Sequence, residues 1–160
     1  MRVLIVYAGR TGTTEKAAHM LADCFDDASL RNLMETDANP DRAYDAVIIG
    51  SSVRNGLIEP KVRKWLVRNE AYLTGVRKGV FLCHAFMTES HKIIEENFPD
   101  AFIRDCEAID SFGGELHYER MKISDRMALK RLVRMHPETR TMVPCLVTDS
   151  ITEFAEKMKI

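Results

Sequence analysis

The chain reads as an α/β protein, a three-layer sandwich with a parallel sheet covered by helices on both faces. Two observations predict this. Short runs of β-branched and aromatic residues have the continuous apolar character of fully buried strands, and amphipathic segments with helical spacing lie between them. Such alternation, with helices of about 10 to 15 residues, calls for right-handed βαβ crossovers.

The first run, Arg2 to Tyr7, is a buried strand that ends in Ala8-Gly9-Arg10-Thr11-Gly12-Thr13-Thr14. A helix follows, with Ala17, Ala18, Leu21, Ala22 and Phe25 on one face and Glu15, Lys16, His19 and Asp23 elsewhere. A weaker second strand falls in Ser29 to Met34. Asp45 to Gly50 repeats the strand-then-glycine pattern and leads into a polar loop, Ser51 to Gly56. Pro60 opens a helix running through Trp65 to about Leu73, closed by Gly75, with Val62, Trp65 and Leu66 inward and Lys61, Arg63, Lys64 and Arg68 outward. Gly79 to Cys83 is a fourth strand, followed by a helix from about Glu89 to Asn97 that stops ahead of Pro99. A fifth strand lies within Cys106 to Phe112, and Val143 to Val147 reads as one more extended segment. Thr148 and Asp149 are expected to cap a last helix, Ile151 to Met158.

With 160 residues, 46% apolar and 29% charged, the chain is expected to fold as one domain over 1–160. At that length about 70% of the unfolded surface is buried, so packing suffices without disulfide or metal staples. Net charge −1 argues against a generally basic nucleic-acid binder. No secretory leader or spanning segment is evident, and Cys24, Cys83, Cys106 and Cys145 lie far apart without metal-ligand spacing. These features predict a cytoplasmic protein with reduced thiols and no metal site.

Ligands of open α/β sheets bind outside the carboxyl ends of the strands, which directs attention to Ala8–Thr14, Ser51–Glu59 and His84–Ser90. In the first loop, glycines let backbone N–H groups converge, threonines add hydroxyl donors, and the helix behind offers its positive end to an anion. It is not a Walker loop, because Gly12 is followed by Thr13-Thr14 rather than Lys-Ser/Thr, and it lacks the G-x-G-x-x-G spacing of a dinucleotide site. Neutral hydroxyl and amide donors suit a terminal monophosphate.

Thr11-Gly12-Thr13-Thr14 after a first buried strand resembles the phosphate loop of the flavodoxin family, Ser/Thr-x-Thr-Gly-x-Thr, which binds the phosphate of FMN. Gly9 departs from it, since the family has a hydroxyl there. The resemblance implies a flavodoxin-like five-stranded parallel sheet in the order 2-1-3-4-5, with FMN as cofactor. It places Gly9, Arg10, Thr11, Gly12, Thr13 and Thr14 on the phosphate. Val47 to Gly56 is similar to the loop that lies along the flavin in the menaquinone-dependent protoporphyrinogen oxidase branch, which nominates Ser51, Ser52, Val53, Arg54, Asn55 and Gly56. The third loop contributes His84, Ala85 and Phe86, with Phe86 or His84 the candidate to stack on the ring. Two departures stand out: Asn55 replaces that branch's aromatic, and the third loop is shorter and lacks its basic stretch. No catalytic acid or base is nominated, because FMN itself would carry the redox step.

The branch also has a long insertion, matched here by about 114–142. Between positions 120 and 134, Arg120, Lys122, Arg126, Lys130, Arg131 and Arg134 stand against Asp125 alone, a local charge of +5. Met121, Ala128, Leu129, Leu132, Val133 and Met135 share one helical arc, while Ile123 and Met127 interrupt the basic one. Two destinations follow for this helix: docking on the domain, or contact with an anionic membrane face or an acidic redox partner. Two functions likewise stand. One is an FMN-dependent electron-transfer protein or oxidoreductase, in sharper form a protoporphyrinogen oxidase passing electrons to a quinone at the inner face of the membrane. The alternative is a flavodoxin-like interaction module that has lost flavin.

Overall fold

In the computed structural model, which describes residues 1–37 and 39–160, the first apolar run forms β1 (Arg2–Ala8), buried from Val3 onward. Then come α1 (Thr13–Ala22), β2 (Asp27–Asn32), β3 (Ala46–Arg54), β4 (Leu57–Ile58), α2 (Pro60–Arg68), α3 (Glu70–Thr74), β5 (Arg77–Cys83), α4 (Ser90–Asn97), α5 (Asp100–Arg104), β6 (Cys106–Ser111), α6 (Ile123–Met135) and α7 (Thr148–Lys159). The sheet order is β2-β1-β3-β5-β6, all parallel, with β4 attached antiparallel to β3. With the short β4 set aside, this is the expected 2-1-3-4-5 arrangement.

Side chains alternate across a strand, so β1 feeds two cores. Val3, Ile5 and Tyr7 join Ile48, Phe81, Phe112 and the α1 and α7 residues Leu21 and Phe154 on one face. Leu4 and Val6 join Val47, Ile49, Val62, Trp65 and Ile94 on the other. Each large apolar side chain so buried contributes about 1.5–3 kcal/mol relative to exposure. The first face holds an aromatic stack, Phe81 on Phe112 at 4.7 Å between centroids, with Phe154 edge-on to Phe112 at 5.3 Å. Gly50 stands opposite Phe81 across the β3–β5 ladder, and a Cβ there would lie 2.1 Å from Phe81 Cζ.

Four expectations need correction. Ser51, Ser52, Val53 and Arg54 belong to β3, not to a loop. Asn55 (φ 52°) and Gly56 (φ 73°) form the tight turn into β4, a conformation for which Asn-Gly is the preferred pair. The helix after Pro60 breaks at Asn69, whose side-chain Nδ2 and backbone N both donate to the Trp65 carbonyl (2.9 and 3.0 Å). An additional helix, α5, follows Pro99. Thr148 and Asp149 form the first turn of α7 rather than its cap, with Val147 at the cap and no side-chain capping bond. The segment at Val143–Val147 holds one bridge, Leu146 to Gly113.

None of the residues of α6 is buried. Ala128, Leu129, Leu132 and Val133 are half-buried as the arc predicts, but Met135 is exposed, as are Ile123 and Met127.

Candidate functional site

β1 delivers the first loop to the carboxyl edge of the sheet, where Gly12 takes φ 91°, a left-handed value that favours glycine. Gly12 is the N-cap of α1, and no side chain caps that end. Its free N–H groups are donors without a protein acceptor from a capping side chain. Thr13 and Thr14 are buried, and Thr13 Oγ1 has no hydrogen-bond partner. An unpaired buried hydroxyl costs about 1–3 kcal/mol. A phosphate oxygen at the uncapped helix end would satisfy it, so these residues fit the group that the loop motif implies. Thr14 instead hydrogen-bonds to Cys83, whose thiol burial pushes up to about 12. At Gly9, a Cβ would lie 2.6 Å from Thr14 Oγ1, so the glycine makes room for Thr14.

Arg10 turns away from the loop interior. Its Nε donates to Glu59 Oε1 at 2.9 Å, and Glu59 is only 4% exposed. Ser52 Oγ donates to the same carboxylate oxygen at 3.0 Å, and Ser51 Oγ accepts from the Glu59 backbone N at 2.9 Å. One buried carboxylate thus ties the first loop to the end of β3, and the Ser51 and Ser52 hydroxyls are engaged within the protein. Val53 is half-buried, and Asn55 with Gly56 makes the hairpin turn.

The third loop holds His84 between two hydroxyls, Ser111 Oγ at 2.9 Å and Ser90 Oγ at 3.1 Å from Nε2. Burial lowers the His84 imidazole below its ordinary value, and a hydrogen bond with the Phe86 backbone opposes this in part. His84 N donates to the Gly113 carbonyl, and Gly114 packs so close that a Cβ would meet the His84 carbonyl carbon at 2.9 Å. Ala85 is half-buried and Phe86 is buried, and both line a cavity with Met87, Gly113, Met142 and Val147.

The insertion crosses the first two loops. Lys16 Nζ pairs with Glu115 Oε1 at 2.6 Å, Arg120 Nη1 donates to the Thr11 carbonyl at 3.1 Å, and Arg54 Nη1 pairs with Asp125 Oδ1 at 2.9 Å. The Lys16 ammonium lowers the Glu115 carboxyl below the usual carboxylate range. Glu59 and Ser90 close two of the loops the sequence singles out, although their roles are not signalled there, whereas Ser111, Glu115, Arg120 and Asp125 reach the loops only through tertiary contact that no spacing rule announces.

A family model described as a flavodoxin domain matches residues 4–142. The chain belongs to the flavodoxin domain family. Among curated proteins, none matches it. In structure the flavodoxin domain is similar to rubredoxin oxygen:oxidoreductase of Desulfovibrio gigas (18% identity, TM-score 0.56), covering 99% of this chain but only 36% of that one. It is similar over nearly full length to a Streptococcus pneumoniae flavodoxin (17% identity, TM-score 0.53, 99% and 98% covered). It also resembles a Lactobacillus acidophilus flavoprotein in complex with FMN (16% identity, TM-score 0.50, 69% and 92% covered). At these identities the likenesses speak to the fold. Family membership, the uncapped α1 end and the unsatisfied Thr13 hydroxyl together support FMN as the cofactor of this flavodoxin domain. No described helix is long and apolar enough to cross a membrane.

Proposed function

We propose that this flavodoxin domain binds FMN between its first three βα loops and acts in electron transfer or as an oxidoreductase. The observation that carries the reading is the buried, unpartnered Thr13 hydroxyl at the uncapped N-terminus of α1. FMN, when bound, supplies the redox chemistry. Gly12 and the first turn of α1 present N–H donors, Thr13 supplies a hydroxyl, and the Arg10–Glu59–Ser52 cluster fixes the first two loops relative to each other.

In its sharper form the substrate is a porphyrinogen and the acceptor a quinone, the electrons and protons taken from the first reducing the second to quinol. The similarity of Val47–Gly56 to the menaquinone-dependent protoporphyrinogen oxidase branch supports this. The exposed stripe of α6 is suited to an anionic membrane surface, where a quinone would be met.

Titration of the cofactor-free chain with FMN, followed by flavin fluorescence, tests the reading. Saturable quenching at micromolar FMN or below is the expected outcome. Absence of binding at millimolar FMN would overturn it and leave the second reading, an interaction module whose insertion lies across loops that no longer hold flavin.

A further inference from the structure

The flavodoxin phosphate loop described above offers only neutral donors, yet a phosphate monoester carries a charge of about −1.5 to −2 at pH 7. Four cations stand on or beside the first two loops. Arg10 is committed to Glu59, Lys16 to Glu115 and Arg54 to Asp125. Arg120, among the described residues, has no carboxylate partner. Its Nη1 donates to the Thr11 carbonyl, and the same atom lies 3.4 Å from the position a Cβ would take on Gly12. The guanidinium is therefore at the turn that opens α1, over Thr11 and Gly12, the two residues that precede Thr13 and its unpaired hydroxyl in the chain.

We propose that Arg120, carried by the insertion, is a phosphate-binding residue that makes the site selective for the phosphorylated flavin over riboflavin. The proposal rests on the FMN reading and adds to it a cation from outside the loop. The departure at Gly9 leaves a donor to be replaced. Room at that position is taken by Thr14, so a hydroxyl-bearing residue is excluded and the loop has one fewer neutral donor. A guanidinium forms charge-assisted, fork-like hydrogen bonds with a phosphate and replaces that donor with a stronger one. The Lys16–Glu115 pair, at 2.6 Å, anchors the segment that carries Arg120 over the first turn of α1, so Glu115 acts as a positioning residue.

The test compares FMN with riboflavin, which lacks the phosphate, by fluorescence quenching of the full cofactor-free chain. Arg120 is exposed, so Arg120→Gln leaves the fold intact, and unchanged riboflavin affinity verifies this in the same experiment. Arg120→Gln is expected to raise the FMN Kd about tenfold or more and to reduce its salt dependence, while riboflavin binding stays within about twofold. Arg120→Lys restores part of the loss, because the charge returns without the fork. FMN affinity unchanged in Arg120→Gln, or lost in equal proportion with riboflavin, overturns the role of Arg120 and leaves FMN binding standing. A wild-type chain that binds neither flavin overturns the FMN reading and this proposal together.

Discussion

Thr13 presents opposite demands in the cofactor-free and loaded protein. Its hydroxyl is buried and unpaired in the fold alone, a penalty that a phosphate oxygen would relieve. Thr13→Val keeps the shape and deletes the oxygen. The variant without cofactor is expected to be as stable as wild type or more stable by about 1 kcal/mol, and to bind FMN about 1.5–3 kcal/mol more weakly. Thermal melts paired with FMN titration check this, and a variant that loses stability while keeping affinity contradicts the assignment. His84 makes a prediction about pH. Burial disfavours its charged form, so the folded chain holds it neutral below its ordinary value of 6.5 while the unfolded chain takes up a proton there. The stabilising contribution is complete above about pH 6.5 and is lost as pH falls from there through the lowered folded value. His84→Gln is expected to flatten the fall in Tm between about pH 7 and pH 5.5, and an unchanged profile would assign that fall to other groups.

α6 shows how an element can follow its sequence pattern and still be left incomplete. Its arc of Ala128, Leu129, Leu132 and Val133 turns inward, yet none of the helix is buried. The opposite stripe runs Ile123, Met127, Lys130 and Arg134, all exposed, so the face left to solvent carries two apolar side chains and two cations that an anionic lipid surface attracts. Vesicles containing anionic lipid are expected to sediment this chain and neutral phosphatidylcholine vesicles to leave it in solution. Neutralising Lys130 and Arg134 should weaken binding by about 1 kcal/mol per charge. Equal sedimentation by both vesicles, or none, argues against this surface. Elsewhere, the patterns that the sequence offered were unequally informative. Apolar runs located β1, β3, β5 and β6 to within a few residues, because a buried parallel strand has no polar face to blur it. The Asn55-Gly56 hairpin was signalled and overlooked, since Ser51 to Arg54 carry the polar composition of a loop while pairing as a strand. The break at Asn69 was hidden, because the helical spacing continues across it and the decision rests on one side-chain amide reaching back to Trp65.

For the molecule as a whole, the fold was legible and the site was legible only in outline. Strand alternation and the position of Gly9–Thr14 after β1 nominate a phosphate loop without any tertiary knowledge. The partners that hold the loops do not follow, for Glu59 lies 49 residues from Arg10 and Asp125 lies 71 residues from Arg54, and such pairs are set by topology rather than local pattern. Gly50 and Phe81 form a link of the same long-range kind. The Phe81 ring occupies the space a side chain at position 50 would need, and it stacks in turn on Phe112. The two positions therefore form one steric lock: a side chain at position 50 fits only where position 81 has given up its ring, so Gly50→Ala alone should destabilise the fold and Gly50→Ala with Phe81→Leu should recover part of the loss.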